Sequence, residues 1–431
     1  MQKLSIQLYL PSIYSDINKS FVSNKSDLLS LLEKHINFNS FMPLSLRYAF
    51  YSHMGRDPIH HLESFIRALV FQKLLAIDSD TLLINILKLS PELCDFCRFR
   101  KVPDSSQFSR FRKKYAPFIF EMFNKLVDIT EPICREIDKK KADYLIYDTT
   151  GFEPYVAENN PKFFNAKLKQ AKKFSKTNDS NPYIAVYSTL PSLSSTNPEA
   201  RQQYQQYINS HFCYALKAGI VTNGLGIIRH ISFFDNEFRK KHPYISTQKS
   251  DNPDIDKEIS DSKSLKPVLS DFFDLHPTFS FKTFLGDSAF DSYDNYSMLR
   301  NTFHFDRICT PINPRNSKSG SNSSDIPVCP IDNTPFTFLG KSGGKNRSVR
   351  YKWVCHKCIP KGSSRTCICE NPCTDSKYGK CTYTYIDKDF RTCPSIQRDT
   401  EHWNNLYKHR VLIERTINLI KDSFAVETRK S

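Results

Sequence analysis

ADYLIYDTTG, residues 142–151, decides the fold class. The apolar run from Tyr144 to Tyr147 is too short for a helix and reads as a buried strand, with Thr149, Thr150 and Gly151 marking its exit. Asp148 then stands at the carboxyl end of a strand, which in an open α/β sheet faces the crevice where ligands collect. FKTFLGDSAFDS, residues 281–292, repeats the arrangement: Phe279 to Leu285 make an apolar strand, Gly286 allows a close backbone approach, and Asp287 follows. Taken singly, each aspartate reads more readily as a turn or helix-capping residue.

A third segment changes that balance. In LYKHRVLIERTINLIKDSF, residues 406–424, Tyr407, Arg410, Glu414 and Lys421 fall within about 60° of one another on a helix advancing 100° per residue. Leu406, Ile413, Ile417, Ile420 and Phe424 form the adjoining apolar stripe, so the helix packs on a core and holds the polar group at its edge. Alone, such a stripe is an ordinary salt-bridged, solvated face. Together, three carboxylates from two strands and a helix are hard oxygen donors that suit divalent cations, and a pair of such ions serves phosphoryl transfer without a side-chain nucleophile.

On these residues the chain resembles the transposases of bacterial insertion sequences in the DDE superfamily, in the branch with the Tyr-x2-Arg-x3-Glu-x6-Lys signature. The signature is met at Tyr407, Arg410, Glu414 and Lys421. The likeness extends to YDTTG at 147–151, GDSAFDS at 286–292, the Asn223-Gly224 turn and PINPRNSK at 311–318, and covers roughly residues 45–428. It implies a catalytic triad of Asp148, Asp287 and Glu414 on a ribonuclease-H-like fold, binding Mg2+, with Mn2+ as a substitute. Tyr407, Arg410 and Lys421 would hold the DNA backbone. The implied reaction is phosphodiester hydrolysis at the transposon end and strand transfer into target double-stranded DNA, by a homodimer in the bacterial cytoplasm at the nucleoid. Family members generally continue beyond the point where this sequence ends, so an inactive or truncated DNA-binding relative is the alternative reading.

Composition is compatible with that partner. Sixty-one Lys and Arg against 45 Asp and Glu give a net charge of +16, a balance that favours phosphate-rich polymers. Basic clusters lie at 97–102, 109–115, 135–141 and 165–176. The start lacks a secretory signal, and the best apolar stretch, residues 65–77, is interrupted by Arg67, Gln72 and Lys73, so no membrane partner is expected.

The chain divides into a helical region at 1–140, an α/β catalytic region at 141–313 and 400–431, and a cysteine-rich insertion at 314–399. In the first, PDSSQFSRFRKKY (103–115) is a basic helix capped by Asp104 or Ser105, suited equally by its residues to a helix-turn-helix reader of DNA ends or to helical packing, and the family resemblance implies that the region binds DNA ends. In the second, Asn223-Gly224 signals a type I′ hairpin, residues 154–211 read as loop and short helix, 261–276 as a helix and 304–313 as a fifth strand. The insertion holds eight of the thirteen cysteines. Cys355 and Cys358 form a C-x2-C knuckle, and Cys367, Cys369, Cys373 and Cys329 are candidates to complete a zinc site; reduced, buried thiols are the competing reading. The other C-x2-C pair, Cys94 and Cys97, lacks a partner pair and is expected to be buried on a helix.

Overall fold

The computed structural model describes residues 25–51, 58–153, 159, 166, 169–173, 176, 205–208, 211–245, 259–313, 327–331, 333–344, 347–385, 390–391, 395–398 and 400–423. Its first part is helical: α1 (Lys25–His35), α2 (Leu44–Phe50), α3 (Leu62–Leu74), α4 (Asp80–Leu89), α5 (Pro91–Phe96) and α6 (Ser105–Tyr115) share one aromatic-rich core that includes Phe38, Phe65, Phe71, Phe96, Phe108 and Phe111. Side-chain caps fix their starts. Ser79 and Ser90 accept from the Leu82 and Leu93 amides, and Asp104 with Gln107 forms a reciprocal capping box, each cap contributing about 1 kcal/mol. Arg67, which interrupts the apolar pattern of α3, is buried but saturated by Glu33, Glu63 and the Phe96 carbonyl. Among the described residues no helix is long and apolar enough to cross a membrane.

The long α7 (Ile119–Ile137) ties this part to the sheet. Its buried Glu131 accepts from Arg229 at 3.2 Å and Arg135 at 2.8 Å, and Arg135 also reaches Asp143 at 2.9 Å. After the short α8 (Lys139–Ala142) comes β1 (Tyr144–Phe152), the centre of a five-stranded mixed sheet. Strands β4 (Leu216–Asn223) and β5 (Ile228–Phe233) add antiparallel on one side; β6 (Thr283–Leu285) and β7 (Arg307–Cys309) add parallel on the other. The apolar run of β1 is continuous because both faces are covered. Leu145 and Tyr147 pack with Val268 and Phe272 of α10 (Asp261–Leu275), which follows α9 (Asn236–Lys241). Tyr144 and Ile146 face Trp403 and Leu406 of α12 (Glu401–Tyr407) and Ile413 and Ile417 of α13 (Val411–Asn418). The helix α11 (Tyr293–Asn301) joins β6 to β7.

Several sequence expectations need correction. β1 does not stop at Tyr147: antiparallel pairing with β4 carries it through Asp148, opposite Ile220, to Phe152. The strands expected at 279–285 and 304–313 shrink to three residues each, the span over which parallel pairing persists. The Asn223-Gly224 hairpin is not a two-residue type I′ turn. Asn223 pairs across to Ile227, the positive φ of 78° falls on Gly226, and the Asn223 side chain accepts from the Leu225 and Ile227 amides. Within the stretch expected to be loop and short helix, β2 (Gln205–Ile208) pairs with β3 (His211–Tyr214). In the insertion, to which the residue pattern alone assigns no secondary structure, β8 (Thr337–Gly344), β9 (Arg347–Val354) and β12 (Cys381–Tyr385) form a sheet, and β10 (Cys358–Lys361) and β11 (Ser364–Cys367) a hairpin. Of the basic run at 165–176, residues 166, 169–173 and 176 are described, all helical, and the others lie outside the described residues, as do Phe424 and the Ser-rich opening of the insertion.

Two outcomes follow from this packing. Gly224 is needed for close approach, since a Cβ there would meet the Lys141 carbonyl oxygen at 2.6 Å. Gly224→Ala should therefore lower the denaturation free energy by about 1–3 kcal/mol, and an unchanged urea midpoint would refute the constraint. His230 is buried against Phe120 and Phe272, and burial pulls its pKa down from 6.5 to about 4. The unfolded chain takes up that proton first, so this contribution is intact above pH 6.5 and is lost as pH falls towards 4, by on the order of 3 kcal/mol. Equilibrium unfolding across that window should show a shallower pH slope in His230→Leu than in the parent.

Candidate active site at the open end of the sheet

The parallel ladder between β1 and β6 ends at Ile146 opposite Leu285. Asp148 lies two residues beyond the first and Asp287 two residues beyond the second, so the two carboxylates occupy matching positions where the sheet opens. Asp148 is in mid-strand, its Oδ1 accepting from the Thr149 amide. Asp287 also does what a lone aspartate after a strand does: its Oδ1 accepts from the Ala289 amide and starts a 3-10 turn, Ser288–Phe290.

The signature segment is a succession of helical types rather than one regular α-helix. Between α12 and α13 lies a 3-10 turn, Lys408–Arg410, and after α13 a π-helical turn, Leu419–Ser423. Leu406, Ile413 and Ile417 are buried as the apolar stripe requires, with Ile420 partly buried. A buried network anchors the approach to α12. Arg398 donates to the Thr310 carbonyl and the Tyr296 hydroxyl, while Arg391 pairs with the fully buried Asp291. The second aspartate of GDSAFDS is thus structural.

All three predicted acids meet one cation. Arg410 Nη2 lies 3.1 Å from Asp148 Oδ2 and 3.9 Å from Asp287 Oδ2, and Nη1 lies 2.5 Å from Glu414 Oε1. Burial raises the Asp148 pKa from 3.8 to about 6; Arg410 and the Thr149 amide oppose the rise, and Asp287 and Asp261 add to it. Burial pulls Arg410 down, but Asp148, Tyr407, Glu414 and Asp287 push it up by more, so the guanidinium stays charged. Tyr407 stacks on Trp403 at 4.7 Å, and its phenol is raised chiefly by burial. Lys421 reaches back over the end of β1, donating to the Gly151 carbonyl at 2.6 Å with its ammonium 5.6 Å from the Phe152 ring.

One neighbour of the candidate site escaped the sequence reading. Asp261, the first residue of α10, accepts from the Thr149 hydroxyl at 2.5 Å and pairs with the buried Lys217 at 2.6 Å, placing a fourth carboxylate behind Asp148. Its sequence signal is only that of an acid in the first turn of a helix.

Among the described residues, no group of three or more His, Cys, Asp or Glu side chains is gathered so that it could hold a metal ion as it stands. At the acids, the guanidinium takes the central position. In the insertion, Cys329, Cys355 and Cys358 are buried, Cys367, Cys369 and Cys373 half-buried. Cys97 is buried at the end of α5, whereas Cys94 is half-buried, its thiol donating to the Phe99 carbonyl.

On α6, Phe108, Phe111 and Tyr115 face the helical core while Arg110, Lys113 and Lys114 are exposed. This helix closes the stretch that compares with a known family. No curated protein and no solved structure matches the chain. Residues 17–114 match the family model described as a transposase domain, DUF772, and that similarity points to a transposition enzyme acting on DNA.

Proposed function

We propose that the chain is a DDE transposase, in which Asp148, Asp287 and Glu414 hold divalent cations for cleavage at transposon ends and strand transfer into target DNA. The observation that carries this is their convergence on Arg410 from a mid-strand position, a strand exit and a helix. The donor set fits Mg2+ or Mn2+, because these are hard carboxylate oxygens that already share one positive charge. Bound there, such ions would supply an activated water or 3′-hydroxyl and stabilise the leaving oxygen.

The chain's own residues have separable tasks. Burial makes the ionised form of Asp148 dependent on a cation beside it. Arg410 holds the three acids together and, with a guanidinium's planar set of donors, is suited to a DNA phosphate when the acids take another cation. Lys421 braces the strand end that carries Asp148, while Tyr407 lines the approach. A central β1 with antiparallel strands on one side and parallel strands on the other supports the ribonuclease-H-like reading. The exposed cations of α6 support the helical region as the binder of DNA ends, with one copy of a homodimer at each end.

A non-catalytic DNA-binding protein is the second reading, in which Arg410 keeps its place among the acids and no cleavage follows. The two are separated with DNA that carries the sequence flanking the reading frame, where terminal inverted repeats are expected. With Mg2+, the parent chain should nick that DNA and join its ends to target. Asp148→Ala, Asp287→Ala and Glu414→Ala should each cut activity by at least about a thousandfold while changing DNA affinity only a few-fold. Binding without nicking by the parent would establish the second reading. Arg410→Ala should reduce the salt slope of DNA binding by about one unit; an unaltered slope would confine this arginine to the acid cluster.

A further inference from the structure

The sheet of the insertion has a small apolar interior. Phe336, Tyr351, Trp353 and Val354 are its large buried members, and the rest of the buried cluster is the thiols of Cys329, Cys355 and Cys358. Val354, the last residue of β9, pairs with Thr337 at the start of β8 and with Cys381 at the start of β12. The turn at Cys329, which closes through hydrogen bonds with Asn333 and Thr334 before β8, therefore lies at the same end as the C-x2-C turn after β9.

The thiols at that end are neighbours. Cys329, Cys355 and Cys358 belong to one buried cluster, with Cys367 packed against it. Cys367 is the cross-strand partner of Cys358 in the β10–β11 hairpin. The backbone is shaped around these sulfurs. Cys355 Sγ accepts from the Lys357 amide and Cys358 Sγ from the Lys380 amide at 3.3 Å. Gly379, at φ 72°, comes so close that a Cβ there would meet Cys358 Sγ at 2.9 Å. An amide aimed at the Cys358 sulfur and a glycine packed against it shape this end of the sheet around the thiols, beyond what filling a small apolar core requires.

We propose that Cys329, Cys355, Cys358 and Cys367 bind one structural zinc ion. Soft thiolates select zinc over the hard cations suited to the acid cluster. The sulfurs now share one cluster, and binding draws them onto one tetrahedron with zinc–sulfur distances of about 2.3 Å. Cys367 rather than Cys369 completes the set because it packs against the buried cluster and lies opposite Cys358. Closing four ligands from three turns fixes the insertion where its apolar core is thin.

The test uses the full chain purified without chelator. Elemental analysis should find about one zinc per chain, and Co2+ exchanged into the site should give thiolate-to-metal charge-transfer absorption. Cys355→Ser and Cys367→Ser should each lose that absorption, whereas the Cys94→Ser, Cys97→Ser double variant should keep both metal and spectrum. Maleimide labelling of the native parent, mapped by mass spectrometry, does not depend on any variant folding: a chelator should expose Cys329, Cys355, Cys358 and Cys367 together. Folded parent protein without zinc, a chelator that leaves the labelling unchanged, or full cobalt absorption in Cys367→Ser would overturn the assignment.

Discussion

Three carboxylates at one edge of a sheet repel one another, and the arrangement around Asp148, Asp287 and Glu414 depends on the positive charge that Arg410 places among them. At 18 % exposure the guanidinium is screened less than a surface cation, and it bridges acids that are 17 %, 36 % and 47 % exposed. The gradient of exposure matters. The most enclosed acid, Asp148, is also the one whose ionised form burial disfavours. A cation in this position therefore stabilises both the charge state of the acids and the docking of the helical segment against β1.

Backbone pairing creates the opening in which they meet. β1 is paired from Leu145 to Phe152 by β4 but by β6 only to Ile146, so beyond that residue no strand among the described residues pairs with its second edge. Asp287 enters that space because β6 ends and a short 3-10 turn begins. Glu414 enters because buried ion pairs at Asp291 and the Arg398 contacts position the chain just ahead of α12. Stability and site geometry thus share residues, and a defect in the Arg391–Asp291 pair would be felt at Glu414.

Much of this was legible in residue patterns. The apolar run at 144–147, buried on both faces, announced a central strand, and Leu406, Ile413 and Ile417 announced the buried face of the signature helix. Spacing brought Arg410 and Glu414 together because they are one helical turn apart whatever follows. Strand ends were misjudged because they depend on distant partners: Asp148 looks like an exit until β4 is known to pair opposite it. The Asn223-Gly224 turn misled for a related reason, since Gly224 is spent on contact with Lys141 and Gly226 takes the positive φ. Asp261 was invisible because nothing in its own segment distinguishes a helix-start acid from one that reaches Thr149 and Lys217.

The contact between Arg410 and Asp148 spans 262 residues of chain, and that between Lys421 and Gly151 spans 270. During synthesis the first two acids can take their places once β6 has joined β1, yet the cluster lacks both its cation and its third acid until the segment with Arg410 and Glu414 emerges. At ribosomal speeds of about 5–20 residues per second, that interval is roughly 6–25 s. A nascent chain therefore carries its helical region through this time without the assembled acids, and emergence of the segment that carries Arg410 and Glu414 is the step that brings the candidate site together.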